Sequence, residues 1–112
     1  MESLACQDLS NRIRDFLKHQ QVVTERRMFG GRCFMLDGNM LVCPTREGSL
    51  LVRVGKEAYE DTLALPGASP VQMGPRTMSG FIEVSGDALE DDDALESWIV
   101  RARQFVATLP PK

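Results

Sequence analysis

The chain has 112 residues and a net charge of −3 at pH 7, with 26% charged and 43% hydrophobic residues. A chain of this length folds as one domain that needs no metal or disulfide to support its core. The acidic balance argues against a free-standing, non-specific nucleic-acid binder, which normally carries a basic face. No run approaches the roughly 18 apolar residues of a membrane-spanning helix, and no secretory leader is visible. Three cysteines without C-x-x-C spacing indicate reduced thiols, so we expect a cytoplasmic protein.

The first predicted element is a helix over residues 3–20. Its apolar side chains recur at positions i, i+4, i+7 and i+8, which places them on one face: Leu9, Ile13, Phe16 and Leu17. Ser3 is in position to cap the N-terminus. The single histidine, His19, falls at the end of this helix, where a polar residue is ordinary. We therefore assign it no catalytic or metal-binding role.

A series of strands follows the first helix. Residues 24–29 form a short lead-in strand that ends at the glycine pair 30–31. Residues 32–36 and 40–44 are predicted to pair through the turn at residues 37–39, where Asp-Gly and Gly-Asn supply the positive φ angles of a tight hairpin. Residues 50–54 are rich in branched side chains and form the next strand. Consecutive antiparallel strands of this kind make a meander.

The C-terminal half alternates between helix and strand. Residues 56–65 form a helix, and residues 66–80 form a glycine- and proline-rich loop with a short edge strand near 71–73. Residues 81–85 form a strand, and residues 91–108 form an amphipathic helix. The predicted fold class is α+β, with an antiparallel sheet and the order α-β-β-β-α-β-β-α. Helices gathered on one face bury one side of such a sheet.

Two cysteines flank the hairpin turn and form a candidate redox pair. A three-residue connection would place Cys33 opposite Cys43, whereas a two-residue connection would offset them by one position and turn them to opposite faces. Opposed strand cysteines can form a strained disulfide or hold a soft metal. Two buried thiols that act as small apolar residues are the more frequent arrangement, and we favour it.

Methionines, glycines and arginines supply the remaining candidates. The methionines at positions 28, 35, 40, 73 and 78 serve either as core filler, which we favour for most of them, or as a partner surface. Gly30 and Gly31 lack a phosphate-loop pattern and favour a bend. Four arginines are candidate anion-binding residues: Arg26, Arg27, Arg53 and Arg76. For Arg53 we favour an ion pair with Glu57 or Glu83.

The sequence resembles the N-terminal domain of the TfoX/Sxy competence-regulator family from about residue 24 to residue 112. The matching pieces include Arg27-Met28-Phe29-Gly30-Gly31, Phe34-Met35, Gly38-Asn39-Met40, Leu51-Val52-Arg53-Val54-Gly55, Pro66-Gly67-Ala68, Gly80-Phe81, Trp98, Phe105 and Leu109-Pro110-Pro111. The resemblance implies a bacterial protein with an α+β fold similar to that of secretion chaperones. It also implies an α-β(3)-α-β(2)-α order, which agrees with the order read from periodicity.

Family members of full length are regarded as transcriptional co-regulators of DNA-uptake genes that work with a cyclic-AMP receptor protein, and they carry a second, helical domain. This chain ends at Lys112, so we expect a stand-alone single domain over residues 1–112. The resemblance supplies no catalytic motif.

We therefore expect a non-enzymatic regulatory module that binds another protein, by resemblance a component of the transcription machinery, without a cofactor, a metal or a membrane. A homodimer is a further expectation. The candidate binding residues are Arg27, Phe29, Gly30, Gly31, Arg53 and Arg76. Two alternatives remain open: a nucleic-acid-binding regulator that uses the arginines, and a thiol-based redox protein that uses Cys33 and Cys43.

Overall fold

A computed structural model of the chain describes residues 3–18, 23–28 and 30–111. Its elements in chain order are α1 (Leu4–Leu17), β1 (Val23–Met28), β2 (Gly31–Leu36), β3 (Asn39–Pro44), β4 (Leu50–Arg53), α2 (Gly55–Leu63), β5 (Ala68–Met73), β6 (Arg76–Val84), a 3-10 helix (Gly86–Leu89) and α3 (Asp92–Val106). The α+β class is confirmed. The lead-in strand is a full member of the sheet, so four strands precede α2. None of the helices within these ranges is long and apolar enough to cross a membrane.

All six strands form one antiparallel sheet in the order β1-β2-β3-β4-β6-β5. The first four strands are a meander, and β6 then pairs with β4, which leaves β5 at the edge. The predicted edge strand near residues 71–73 therefore exists, but it is longer than predicted. Helix α1 begins as predicted, because the Ser3 hydroxyl accepts a hydrogen bond from the Cys6 amide at 3.1 Å.

The main core lies between the sheet and its helices. It joins side chains of α1 and α3, including Ile13 and Trp98, to alternate strand residues such as Phe34, Val52 and Ile82. Arg12 ties the two helices together at the surface, with its guanidinium 2.9 Å from the Asp92 carboxylate. The predicted amphipathic faces of the first and last helices are thus the faces that pack on the sheet.

A second apolar cluster lies on the other face of the sheet. Its buried members all come from strands: Cys33, Met35, Met40, Cys43, Leu51 and Val71. Met35 and Met40 are only 7% and 9% exposed, so the core interpretation is confirmed for these two methionines. Met28 and Met78 are half-buried beside the cluster.

The hairpin between β2 and β3 has a two-residue turn. Asp37 and Gly38 both have positive φ, 51° and 81°, and Leu36 pairs with Asn39. This is the geometry of a type I′ turn, which suits the twist of the flanking strands. The three-residue connection considered from the sequence is therefore wrong. A β-bulge follows, since Met35 pairs with Met40 but Phe34 pairs with Val42. Leu41 is the extra residue.

Candidate functional site

A cleft of about 650 Å³ lies where the start of α2, the end of β4, the middle of β6 and the last turns of α3 meet. Its lining includes two phenyl rings, three cationic side chains and a hydroxyl: Phe81, Phe105, Arg53, Lys56, Arg101 and Ser79. This volume is within the range of sites that take a small ligand or a few side chains of a peptide. The lining mixes apolar walls with a small number of polar groups, which is the composition expected of a binding site.

Two glycines with positive φ allow these elements to approach closely. Gly55 begins α2 with φ +82°, and a β-carbon there would lie 2.4 Å from Cδ1 of Phe105. Gly80 has φ +90°, and a β-carbon there would lie 3.3 Å from the carbonyl carbon of Gly55. The Val54 amide donates a hydrogen bond to the Gly80 carbonyl at 2.9 Å. The cleft is therefore built over backbone that only glycine permits at these two positions.

Arg53 is the cleft cation that contacts two aromatic rings. The register of β4 and β6 places it opposite Phe81. Its guanidinium carbon lies 5.5 Å from the ring centroid of Phe81 and 5.7 Å from that of Phe105, within cation–π range of both. The side chain is half-buried. Within the described ranges, its guanidinium has no hydrogen-bond or salt-bridge partner, so its donors remain available to a ligand.

The predicted ion pair of Arg53 with Glu57 or Glu83 is wrong. The strand register places Glu83 opposite Leu51, and the Glu83 carboxylate accepts a hydrogen bond from the Ser49 hydroxyl at 2.7 Å. Glu57 lies in the first turn of α2 and lines the cleft. No salt bridge joins it to Arg53 in the described part of the chain. Arg53 contacts phenyl rings because its cross-strand neighbour is Phe81, not a carboxylate.

The cleft is positively charged on a protein that is negative overall. Arg53, Lys56 and Arg101 outnumber the single carboxylate in the lining, Glu57, whereas the whole chain carries −3. Neither Lys56 nor Arg101 forms a salt bridge among residues 3–18, 23–28 and 30–111. Helix α2 has no side-chain cap at its N-terminus, and its first amides add partial positive charge at the same place.

The predicted residues of the glycine bend lie outside the cleft. Arg27 is exposed on β1 and pairs with Arg32 across the strands. Gly30 has φ +74°, and a β-carbon on Gly31 would lie 2.0 Å from the Pro44 carbonyl oxygen. The bend interpretation of this glycine pair is therefore confirmed, because the backbones approach too closely for a side chain. Two residues singled out in the sequence, Phe29 and His19, fall outside the described ranges.

The structure distributes the candidate arginines over three strands, with Arg53 at the end of β4. Arg26 and Arg27 lie on the edge strand β1, whereas Arg76 begins β6, beside the opposite edge strand of the sheet. Arg76 is exposed. Of the described candidate binding residues, Arg53 is the one that lines the cleft.

The two hairpin cysteines do meet. The extra residue Leu41 offsets the shorter turn, so that beyond the pair of Phe34 with Val42 the next positions are Cys33 and Cys43. Their thiols are close enough to form a hydrogen bond. Both thiols are 0% exposed. A hydrogen bond from Cys43 lowers the pKa of the Cys33 thiol against the opposing effect of burial. The same bond, together with burial, raises the pKa of Cys43 far above its usual range.

Several cleft residues were not predicted from the sequence: Gly55, Lys56, Gly80, Phe81, Arg101 and Phe105. Gly80 carried a usable signal, since an isolated glycine beside a strand pattern often marks a close approach of backbones. Gly55 carried another, because a glycine directly between a strand and a helix suggests a positive φ. The sequence gives no signal that Phe105 and Arg101 belong to a site, since a phenylalanine and an arginine on a helix are ordinary.

The family model of the TfoX N-terminal domain matches residues 15–106 of the 112-residue chain. The chain belongs to the TfoX N-terminal domain family. The match begins inside α1, earlier than the resemblance read from the motifs, and it contains β4, α2, β6 and nearly all of the cleft lining. No curated protein matches the chain. The candidate site thus lies almost entirely within the part of the chain that the family model matches.

Proposed function

We propose that this TfoX N-terminal domain is a non-enzymatic regulatory module that binds a segment of another protein in the cleft. The observation that carries the proposal is the state of Arg53, which is half-buried between Phe81 and Phe105 with no hydrogen bond to the rest of the described chain. A guanidinium offers five donors in a planar fork. Holding that fork between two rings orients it toward the cleft before any ligand arrives, which lowers the entropic cost of binding.

The chemistry of the lining supports binding over catalysis. The cleft has cations, phenyl rings, an amide at Gln104 and hydroxyls at Ser79 and Thr108. Its single carboxylate, Glu57, is exposed. Groups of these types recognise shape and charge, whereas acid–base catalysis needs a titratable pair positioned around a reacting atom. Rigid aromatic and arginine side chains are also those that contribute most to protein–protein binding.

The family supports a regulatory role, and we propose the transcription machinery as the class of partner. The three cysteines form no disulfide with one another, which supports a cytoplasmic location, where such a partner would be met. A homodimer is compatible with the same role if its interface lies outside the cleft, because each protomer can then bind the partner. The proposal requires that a substitution in the cleft abolish binding of the partner while the domain stays folded.

Affinity capture from native lysate, treated with nuclease, tests the proposal. Wild-type protein is compared with Arg53→Gln and with Arg76→Gln, the matched loss of one exposed arginine outside the cleft. We expect one protein at near-stoichiometric yield with wild type and Arg76→Gln, and about tenfold less with Arg53→Gln. Thermal unfolding of each variant checks the fold. Equal capture by all three proteins, or a partner that nuclease removes, would contradict the proposal.

A further inference from the structure

We infer that the segment bound by the cleft is acidic, with carboxylate side chains next to an apolar one. This inference rests on the proposed function and specifies its partner. The partner is a protein segment of stated chemistry, because the cleft combines cations that lack a carboxylate partner with phenyl rings that are only partly covered. A segment without acidic residues and a second copy of the chain are outcomes of the test below.

The cleft cations lack the carboxylate partners that three arginines elsewhere in the domain have. Arg12 binds Asp92 at 2.9 Å, and Arg14 and Arg32 bind Glu25 at 2.8 and 3.0 Å. In the described ranges Arg53, Lys56 and Arg101 form no such pair. An acidic segment would therefore find cations that need not exchange an existing partner, on a protein whose net charge of −3 repels it elsewhere.

The geometry of Arg53 fits a carboxylate in particular. Its guanidinium carbon lies 5.5 and 5.7 Å from two ring centroids, and a guanidinium that such contacts hold in place can donate two parallel hydrogen bonds to one carboxylate. Arg101 is held in a similar way, with its guanidinium carbon 5.7 Å from the Trp98 ring. Both arginines line the cleft, so two carboxylates of one short segment can be bound together.

The apolar part of the segment follows from the two rings. Phe81 and Phe105 are half-buried, so part of each ring faces the open cleft beside Arg53. An apolar side chain placed there would remove that ring surface from water. The one carboxylate of the lining, Glu57, leaves an excess of two positive charges. The cleft thus favours an alternation of acidic and apolar side chains over a purely acidic run.

Selection from a random peptide library displayed on phage tests this inference and does not require the partner to be identified first. The full-length wild-type protein is the bait, and each selected peptide is then measured on three variants. Arg53→Gln removes the central cation, Arg76→Gln is the matched control, and Ser79→Trp fills the cleft from an exposed position without changing its charge. Thermal unfolding confirms that each variant is folded.

We expect selected peptides that carry at least two Asp or Glu residues around a Leu, Ile or Phe. Their affinity should fall about tenfold or more in Arg53→Gln and in Ser79→Trp, stay unchanged in Arg76→Gln, and weaken as salt rises from about 50 to about 300 mM. Peptides lost in Ser79→Trp but free of acidic residues would overturn the inference and leave the proposed function standing. Peptides indifferent to Ser79→Trp, a wild-type dimer in size-exclusion chromatography that Ser79→Trp converts to a monomer, or no enrichment at all would overturn both.

Discussion

The ring of Phe105 occupies the space in which a side chain on Gly55 would begin, since a β-carbon there would lie 2.4 Å from Cδ1 of the ring. Gly55 is the first residue of α2 and Phe105 lies in the last turn of α3. These two residues therefore fix the distance between the helices at the cleft. Arg53, two residues before Gly55, lies against the same ring at 5.7 Å. The shape of the cleft therefore depends on the absence of a side chain at Gly55.

Replacing Gly55 by alanine should destabilise the domain by about 2 to 5 kcal/mol. Positive φ at a residue with a β-carbon costs about 1 to 2 kcal/mol, and displacing a packed ring costs about 1 to 3 kcal/mol more. Gly74→Ala is the matched control, because Gly74 has φ +61° but nothing within 4 Å of the added carbon. Urea unfolding of both variants measures the difference. Equal losses would show that the ring contact contributes nothing.

The sequence was sufficient for most of the fold because the elements follow local rules. Residues 91–108 were predicted as a helix from their apolar stripe, and α3 spans Asp92–Val106. The hairpin was predicted from its turn residues, but the bulge at Leu41 was not. Leu41 and Val42 are both buried in the main core, which joins parts of the chain that are distant in sequence. The bulge allows both side chains to pack there, and local sequence patterns do not specify such packing.

The candidate site was less predictable than the fold. Arg53 was singled out because it interrupts an apolar strand, yet an ion pair was predicted for it. Whether an arginine meets a carboxylate or a ring depends on strand register, and Phe81 takes the opposite position only because β6 pairs with β4. That pairing joins strands separated by α2 and β5. Local patterns do not specify it.

Glu25 should stabilise the domain in a pH-dependent way. Its carboxylate binds Arg14 through two contacts of 2.8 Å and Arg32 at 3.0 Å. The hydrogen bonds from Arg14, and then those from Arg32, lower the pKa of Glu25 despite partial burial. Because the folded pKa lies below the unfolded one, this stabilisation is present above about pH 4.3 and is lost as the pH falls through the folded pKa.

Glu25→Gln should therefore lower the free energy of unfolding by about 1 kcal/mol at pH 7 and by less near pH 3. Chemical denaturation at the two pH values measures this change. Asp15→Asn is the control, because Asp15 contacts Lys18 at 3.4 Å and its side chain is 77% exposed. That substitution should have no measurable effect at either pH. A deficit for Glu25→Gln that persists at low pH would contradict the assigned cause.

The three cysteines should react slowly with Ellman's reagent in the folded protein. Cys6, Cys33 and Cys43 are each 0% exposed, and a thiol reacts as an accessible thiolate. We expect less than about one-tenth of an equivalent of reaction in the time that guanidinium-unfolded protein takes to react fully. Rapid reaction of native Cys33, removed by Cys33→Ser and not by Cys6→Ser, would instead favour the thiol-based redox alternative.

Site-specific photo-crosslinking in cells tests the central claim most directly. A benzophenone amino acid is placed at Gln104, an exposed position of the cleft, or at Thr24, an exposed position of β1. Thr24 pairs with Met35 and so lies on the face of the second apolar cluster. We predict a crosslinked partner protein from position 104, reduced by Arg53→Gln, and none from position 24. A partner crosslinked from position 24 but not from position 104 would place the interaction on the sheet face and contradict the cleft.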